Sequence, residues 1–179
     1  MGVRKASCYS KMKVVPYTRK SKQKSKSYIK TIPNTNIVKL RMGDLDGFLQ
    51  KKYKKIFELK SNEEVQIRDI ALESARQYLN RSLADHFGKE FYLELKVYPH
   101  HIIRENRMLT GAGADRMSTG MSLSFGTTIG RSALVKKDKT IYLIAINGDQ
   151  SDEKFVRDLF ESIKSRLPCK VRVVQTNIE

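Results

Sequence analysis

Apolar positions along the chain recur with two spacings, and each spacing predicts a different element. Residues 37–42 and 91–98 alternate between apolar and polar side chains, which indicates β-strands, and residues 53–59 form another strand candidate. Apolar residues every three or four positions predict a helix that starts at a Ser61-x-x-Glu64 capping box and ends at about His86, before Gly88. The expected buried face of this helix consists of Ile67, Ile70, Ala71, Ala75, Tyr78, Leu79 and Leu83.

The second half of the chain shows the same two patterns. Residues 132–136 and 140–146 are expected strands, and the second is apolar on both faces, so we expect it at the centre of a sheet. A helix is predicted to start near Ser151 or Asp152, and residues 171–174 form a closing strand. The buried stripe of that helix is Phe155, Val156, Leu159, Phe160 and Ile163. We therefore predict an α+β body over residues 31–179, in which two helices pack on a mixed or antiparallel sheet.

The regular pattern stops between Asn106 and Gly130, where glycines follow one another closely. We therefore predict an extended loop over residues 104–130, and structureless segments of this length are more often functional or disordered than incidental. Its first part combines small residues, arginines and methionines, a composition that suits insertion into folded RNA. A mobile surface loop without a partner is the alternative.

The charge is strongly uneven. The chain carries 35 Lys and Arg against 19 Asp and Glu, a net charge of +16, which indicates a polyanionic partner. Residues 1–30 form a basic arm without an acidic residue, and its cations are Arg4, Lys5, Lys11, Lys13, Arg19, Lys20, Lys22, Lys24, Lys26 and Lys30. Tyr9, Tyr17 and Tyr28 lie among these cations and are suited to stacking on bases, which favours RNA binding over a merely solvated tail or a nuclear-import signal.

Three further arginines lie on the predicted first helix. Arg68, Arg76 and Arg81 are expected to project away from the core or beside it, which makes them candidate RNA contacts of the body.

Other chemistry finds little support in the sequence. The Gly111-Ala112-Gly113 run has Arg116 where a dinucleotide fingerprint needs a glycine, and no phosphate-binding Gly-Lys-Ser or Gly-Lys-Thr occurs. His86, His100, His101, Cys8 and Cys169 lack metal-site spacing. We expect no cofactor, no metal, no small-molecule substrate and no membrane partner, and a reducing, cytoplasmic setting.

Several motifs in order resemble the large-subunit ribosomal protein family L-ten-e, the archaeal and eukaryotic counterpart of bacterial L-sixteen. The central one runs from Tyr98-Pro99-His100-His101 through Arg104-Glu105-Asn106-Arg107-Met108 to Thr110-Gly111-Ala112-Gly113-Ala114-Asp115-Arg116, followed by Gly120-Met121 and Phe125-Gly126. Pro16-Tyr17-Thr18-Arg19-Lys20, Gln66-Ile67-Arg68, Ala71 to Arg76, Asn80-Arg81 and Leu167-Pro168-Cys169-Lys170 also resemble segments of this family.

The resemblance implies a ribosome-bound, non-enzymatic protein with the family's alpha/beta-hammerhead fold. Its implied partners are large-subunit ribosomal RNA near the central protuberance, neighbouring ribosomal proteins, and tRNA at the A and P sites. The implied tRNA-side loop consists of Arg104, Asn106, Arg107, Met108, Gly111, Ala112, Gly113, Ala114, Asp115, Arg116, Gly120 and Met121. The short segment after the last strand favours an archaeal source.

Two other classes of function compete with a ribosomal one. A small basic enzyme that processes or modifies RNA would use the Gly-rich loop as its active site, but the loop offers neither a histidine nor a carboxylate without arginine neighbours. A membrane-surface protein would need an amphipathic basic helix in the arm, which Pro16 and the serines interrupt.

Overall fold

The computed structural model describes residues 5–11, 31–105 and 127–177. Within these ranges the chain forms an α+β fold, as predicted, with eight strands, three α-helices and one turn of 3-10 helix. The strands are β1 Arg41–Gly43, β2 Lys55–Ser61, β3 Val65–Arg68, β4 Phe91–Leu95, β5 His101–Glu105, β6 Thr127–Val135, β7 Thr140–Ile146 and β8 Val171–Asn177. The helices are α1 Leu45–Leu49, α2 Asp69–Phe87 and α3 Gln150–Ile163, and the 3-10 turn is Lys164–Arg166.

The strands form two sheets rather than the single sheet that we predicted. One has five strands in the order β1-β4-β7-β2-β8, and the other has three in the order β3-β6-β5. Every pairing among the described strands is antiparallel, so the sheets are not mixed. The chain leaves the larger sheet after Leu95 and starts β5 in the smaller one at His101, beyond Pro99, which lacks the N–H that a ladder needs.

Strand β7 lies at the centre of the five-stranded sheet, as its apolar sequence predicts. Residues 141–146 are all buried, because helices cover the sheet on both faces. On one face, α2 and α3 enclose a core that also includes Ile67 and Ala133 of the three-stranded sheet, so the two sheets share one core. On the other face, α1 covers Tyr92, and the ring of Phe48 stacks on it at 4.2 Å.

The start of α2 differs from the prediction. Ser61 does not cap a helix, since its hydroxyl donates to the Glu63 carbonyl at 2.7 Å in a local turn at the end of β2. Residues 65–68 then form β3, and the helix begins only at Asp69. The predicted end is confirmed, because the helix stops before Gly88, whose φ of 63° favours glycine.

Ile70 does not belong to the buried face of α2. Its side chain is 39% exposed, whereas Leu79 and Leu83 are fully buried. Ile70 precedes Leu79 by nine residues, and at about 100° per residue this spacing puts the two on opposite sides of the helix. Ile67, which was predicted to share this helix face, is buried, but it lies in β3 and not in the helix.

Helix α3 agrees closely with its prediction, whereas α1 is unexpected. Asp149 begins α3 through a reciprocal capping box with Asp152, and Val156, Leu159, Phe160 and Ile163 are buried. Phe155 is only partly buried and stacks on the ring of His86 at 4.1 Å.

The short helix α1 starts after Gly43, where a Cβ would collide with the Phe91 carbonyl oxygen. Asp44 caps it by accepting a 2.9 Å hydrogen bond from the Gly47 N–H. No helix in the described part of the chain is long and apolar enough to cross a membrane.

Two substitutions test these assignments. Leu95→Asp would bury an unpaired carboxylate at a core position that is 3% exposed, and it should cost at least about 3 kcal/mol of unfolding free energy. Ile70→Asp puts a carboxylate at a position that is 39% exposed, in the first turn of α2, and should change the unfolding free energy by less than about 1 kcal/mol. Urea denaturation of both variants measures the difference, and equal destabilisation would contradict the assigned faces.

Candidate nucleic-acid interface

The ends of the predicted loop are held by strand pairing. Arg104 and Glu105 belong to β5 and pair with Thr128 and Thr127 of β6. Residues 127–130 are therefore strand and not loop, because β6 extends further towards its N-terminus than the glycine pattern predicts. The remaining predicted tRNA-side residues lie outside the described part of the chain: Asn106, Arg107, Met108, Gly111, Ala112, Gly113, Ala114, Asp115, Arg116, Gly120 and Met121.

The first described residues of the basic arm pack on the body. The Ser10 carbonyl accepts a 2.8 Å hydrogen bond from the Gln66 N–H of β3, and the Gln66 amide donates to the Tyr9 carbonyl at 2.9 Å. The Arg68 guanidinium donates to the Lys5 carbonyl at 3.1 Å and lies 5.9 Å from the centre of the Tyr9 ring. Lys5 and Lys11 are exposed on this docked segment. Arm residues 5–11 are thus an anchor on β3.

The chain that follows the arm is anchored on the same sheet and on the adjoining helix. Arg131 of β6 donates to the Pro33 carbonyl at 2.6 Å. Asp69, the first residue of α2, accepts hydrogen bonds from the Asn36 backbone and side chain at 2.9 and 2.8 Å. The other arm residues predicted to bind RNA lie outside the described ranges. They are Arg4, Lys13, Tyr17, Arg19, Lys20, Lys22, Lys24, Lys26 and Lys30.

The three-stranded sheet is therefore the common attachment of both segments that we predict to bind RNA. The arm leaves it beside Gln66 of β3 and returns to it at Arg131 of β6. The loop leaves from the end of β5 and returns at the start of β6. Burial lowers the pKa of Arg104, at the root of the loop, from its ordinary value.

The three candidate arginines of the body have different surroundings. Arg68 is partly buried under the arm anchor, whereas Arg81 is exposed and lies 3.9 Å from Asp85. Arg76 does not project from the core, since its side chain is 9% exposed and its Nε donates to the Glu73 carboxylate at 2.7 Å. A second guanidinium nitrogen donates to the other oxygen of the same carboxylate. This bidentate pair leaves Arg76 unsuited to contact RNA.

The Glu73 carboxylate also connects α2 to neighbouring chain. It accepts a hydrogen bond from Gln77 at 3.0 Å and a long one from the Val38 N–H at 3.5 Å. Burial acts to raise the pKa of Glu73, but the hydrogen bonds from Arg76 and Gln77 and the charge of Arg76 together hold it below its ordinary value. Glu73 is therefore a structural anion.

Comparison with known proteins decides the family. The family described as Ribosomal protein L16p/L10e matches residues 12–174 of this chain. The chain belongs to this ribosomal protein family. The family predicted from the sequence motifs is thereby confirmed.

Similar members of the L16p/L10e family come from archaea, and each is a large ribosomal subunit protein uL16. That of Pyrobaculum calidifontis is 37% identical over 175 residues, which cover 97% of this chain and 94% of the relative. That of Thermofilum pendens is 35% identical over 175 residues and 97% of each chain. That of Methanococcus maripaludis is 36% identical over 179 residues, 98% of this chain and 95% of the relative.

Sequence reasoning missed exposed lysines on the body of this L16p/L10e family member. Lys51, Lys52 and Lys54 follow α1, and Lys136, Lys137 and Lys139 lie between β6 and β7. The run Lys-Lys-Tyr-Lys-Lys at positions 51–55 is a signal that could have found the first group, but the strand prediction for residues 53–59 includes Lys54 and gives none of the three lysines a functional role.

The histidines have separate surroundings. His86 stacks on Phe155, His100 is exposed, and His101 is buried in β5. Within residues 5–11, 31–105 and 127–177, no group of three or more His, Cys, Asp or Glu side chains has a geometry that could hold a metal ion.

Removing Arg76 tests the buried pair in this family member. Arg76→Ala should cost about 3 kcal/mol of unfolding free energy at pH 7, because it leaves the Glu73 carboxylate buried without its cation. The control Arg81→Ala removes an exposed arginine of the same helix and should cost less than about 0.5 kcal/mol.

The destabilisation by Arg76→Ala should also depend on pH. Because the pKa of Glu73 is lowered on folding, the stability from its ionised form is complete above the ordinary value of 4.5 and is lost as the pH falls through the lowered pKa. Denaturation at pH 7 and pH 3 should therefore show a smaller gap between Arg76→Ala and the unaltered protein at pH 3. A gap that is constant with pH would contradict the charge pairing.

Proposed function

We propose that this chain is a structural, non-catalytic constituent of the large ribosomal subunit, which binds large-subunit ribosomal RNA and supports translation. One observation carries the proposal beyond family membership: the basic arm and the Gly-rich loop both attach to the three-stranded sheet. Cations on the arm neutralise RNA phosphates, and the body holds the two ends of the arm in place.

The loop has a different proposed role. We assign residues 106–126, with Arg104 at their root, to the tRNA side of the subunit, where they support RNA and tRNA near the peptidyl-transferase region. The small side chains of residues 111–114 permit close approach to a neighbour, and Arg107 and Arg116 supply planar, charged donors. The remaining proposed partners are neighbouring ribosomal proteins, so the protein works in its ribosome-bound form.

An RNA-processing enzyme is the weaker alternative. Two of the buried carboxylates in the described part of the chain, Glu73 and Glu94, are neutralised by cations, which are Arg76 in one case and Arg41 and Lys96 in the other. Burial acts to raise the pKa of Glu94, but hydrogen bonds from Lys96 and Arg41 help to hold it below its ordinary value. Such carboxylates are poor general acids at neutral pH.

Sedimentation of a cell lysate tests the ribosomal assignment. We expect the protein to sediment with the large subunit in a one-to-one ratio. Recovery of the protein mainly free of ribosomes would contradict the proposal.

Neutralising the arm should reduce the salt dependence of RNA binding. In the arm variant, Gln replaces each of the seven cations that follow Lys11. The anchor of residues 5–11 is left unchanged. At about 0.7–0.9 per neutralised phosphate, the slope of log affinity against log salt should fall by about 5, as measured by filter binding to large-subunit ribosomal RNA. An unchanged slope would assign the electrostatic contacts to the body.

The loop is tested by the triple variant Gly111→Val, Gly113→Val, Arg116→Ala. Valine restricts the backbone and widens the loop, and the loss of Arg116 removes a charge-assisted donor worth about 1.5–3 kcal/mol when its bond is made. Large subunits reconstituted with this variant should translate more slowly, while the melting temperature of the free protein stays nearly constant. Full translation by subunits shown to contain the variant would contradict the tRNA-side role.

Gly130→Val is a matched control for the loop variant. Gly130 lies in β6, and a Cβ added there has no other atom within 4 Å. This substitution introduces the same side chain outside residues 106–126, so it should leave translation unchanged.

A further inference from the structure

The connection between α1 and β2 presents three lysines to solvent. Lys51, Lys52 and Lys54 are exposed, and within the described ranges none of them lies within 4.0 Å of a carboxylate. The next lysine differs, because Lys55 is paired with Glu153 at 2.8 Å. Three positive charges in four residues therefore face solvent with no carboxylate of the described chain at ion-pair distance.

Hydrogen bonds hold the backbone of this connection in one conformation. At the end of α1, the Lys51 N–H donates to the Phe48 carbonyl at 3.1 Å and the Lys52 N–H donates to the Gly47 carbonyl at 2.9 Å. Asn147, just after β7, then binds the chain on both sides of Tyr53. Its amide donates to the Lys52 carbonyl at 2.7 Å, and its oxygen accepts from the Lys54 N–H at 2.8 Å.

A hydrogen bond from the buried Tyr53 to Asp44 also fixes the connection between α1 and β2. The Tyr53 hydroxyl donates to the Asp44 carboxylate at 3.3 Å, and Tyr53 is 3% exposed. Burial and the neighbouring Asp44 charge raise the pKa of Tyr53 to about 12, so the phenol stays protonated and keeps donating. A surface that is ordered before binding loses less conformational entropy when a ligand arrives.

Lys51 occupies a position that suits glycine better. Its φ is 57°, and the two hydrogen bonds at the end of α1 are those of a Schellman motif, whose left-handed residue is usually glycine. A lysine in this conformation carries a steric cost that glycine would avoid. Helix termination alone therefore does not account for a lysine here, whereas a need for its charge does.

The three lysines lie at the opposite end of β2 from the chain that enters the three-stranded sheet. They precede Lys55 at the start of β2, whereas the smaller sheet follows Ser61 at the end of β2. A strand of this length spans about 20 Å at roughly 3.3 Å per residue. An RNA contact at the lysines would thus be separate from the points where the arm and the loop attach to the body.

We propose that Lys51, Lys52 and Lys54 form a second surface for RNA phosphodiester groups, at the opposite end of β2 from the sheet to which the arm and the loop attach. The proposal rests on the RNA-binding function proposed above and adds a site to it. A phosphate backbone suits this surface better than an acidic protein does, because lysine is a common phosphate ligand but is depleted at protein–protein interfaces. The body thereby bridges two separate parts of the folded RNA.

Two charge-matched triple variants test the proposal in the full chain. One replaces Lys51, Lys52 and Lys54 by Gln, and the other replaces Lys136, Lys137 and Lys139, which are exposed at the other end of β7. The probe is large-subunit ribosomal RNA transcribed from Methanococcus maripaludis, the source of one relative. Filter binding at several salt concentrations measures affinity and slope, and melting temperatures confirm folding.

We expect the triple variant at Lys51, Lys52 and Lys54 to lower the slope of log affinity against log salt by about 2 and to weaken binding roughly tenfold or more at 0.1 M salt. The triple variant at Lys136, Lys137 and Lys139 should change both quantities much less. Equal losses from the two triples would show that only total charge matters and would overturn the proposal. A loss that appears with intact subunits but not with RNA alone would assign the lysines to a protein neighbour and would also overturn it.

A single substitution provides an independent measurement. Lys51→Gly should raise the melting temperature of the free protein, because glycine suits the left-handed position, and should at the same time weaken RNA binding. A rise in melting temperature with unchanged affinity would overturn the role of this charge. If the unaltered protein binds this RNA no better than an unrelated RNA, the ribosomal function itself fails and this inference fails with it.

Discussion

The pairing of β6 with a strand on each side is the constraint on which the rest of this structure depends. Its register with β3 buries Ala133 opposite Ile67, which joins the smaller sheet to the core of the larger one. Its register with β5 sets the two ends of the long loop side by side. Its Arg131 side chain holds the chain that returns from the arm. One strand thus connects the hydrophobic core to both segments that we assign to RNA.

The larger elements could be predicted where a single hydrophobic periodicity, of a strand or of a helix, runs through the whole element. Strand β7 and helix α3 have long, strongly periodic sequences, and the structure gives them nearly the expected bounds. The start of α2 was mistaken because β3 runs directly into the helix, and Ile67 and Ala71 continue a helical spacing across the junction. Both residues contact the same core from different elements, so their spacing alone does not separate strand from helix. Helix α1 is too short to show a period.

The candidate site was less predictable because the setting of a charged residue depends on tertiary contacts. Arg76 is spaced by four from Leu72 and by three from Leu79, so the helical pattern already puts it near the buried face. Its charge suggested an RNA contact, whereas Glu73, three residues earlier, supplies the anion that permits burial. Lys51, Lys52 and Lys54, after α1, differ from Arg76 because they are exposed and were not predicted to contact RNA. Their number is evident in the sequence, but their fixed backbone depends on Asn147, more than ninety residues away.

The attachment of the arm at both ends has a consequence for the order in which a subunit is assembled. With Ser10 held on β3 and Pro33 held on β6, the chain between them is closed through the body by hydrogen bonds and has no free end while both anchors hold. A tail with a free end can be threaded through an opening in RNA that has already folded. A segment that is fixed at both ends can enter such an opening only as two strands side by side. While both anchors hold, RNA can surround a single strand of this segment only by closing over it after the body has docked. The hydrogen bonds of the two anchors, and not covalent bonds, impose that order, because release of residues 5–11 from β3 gives the segment a free N-terminal end.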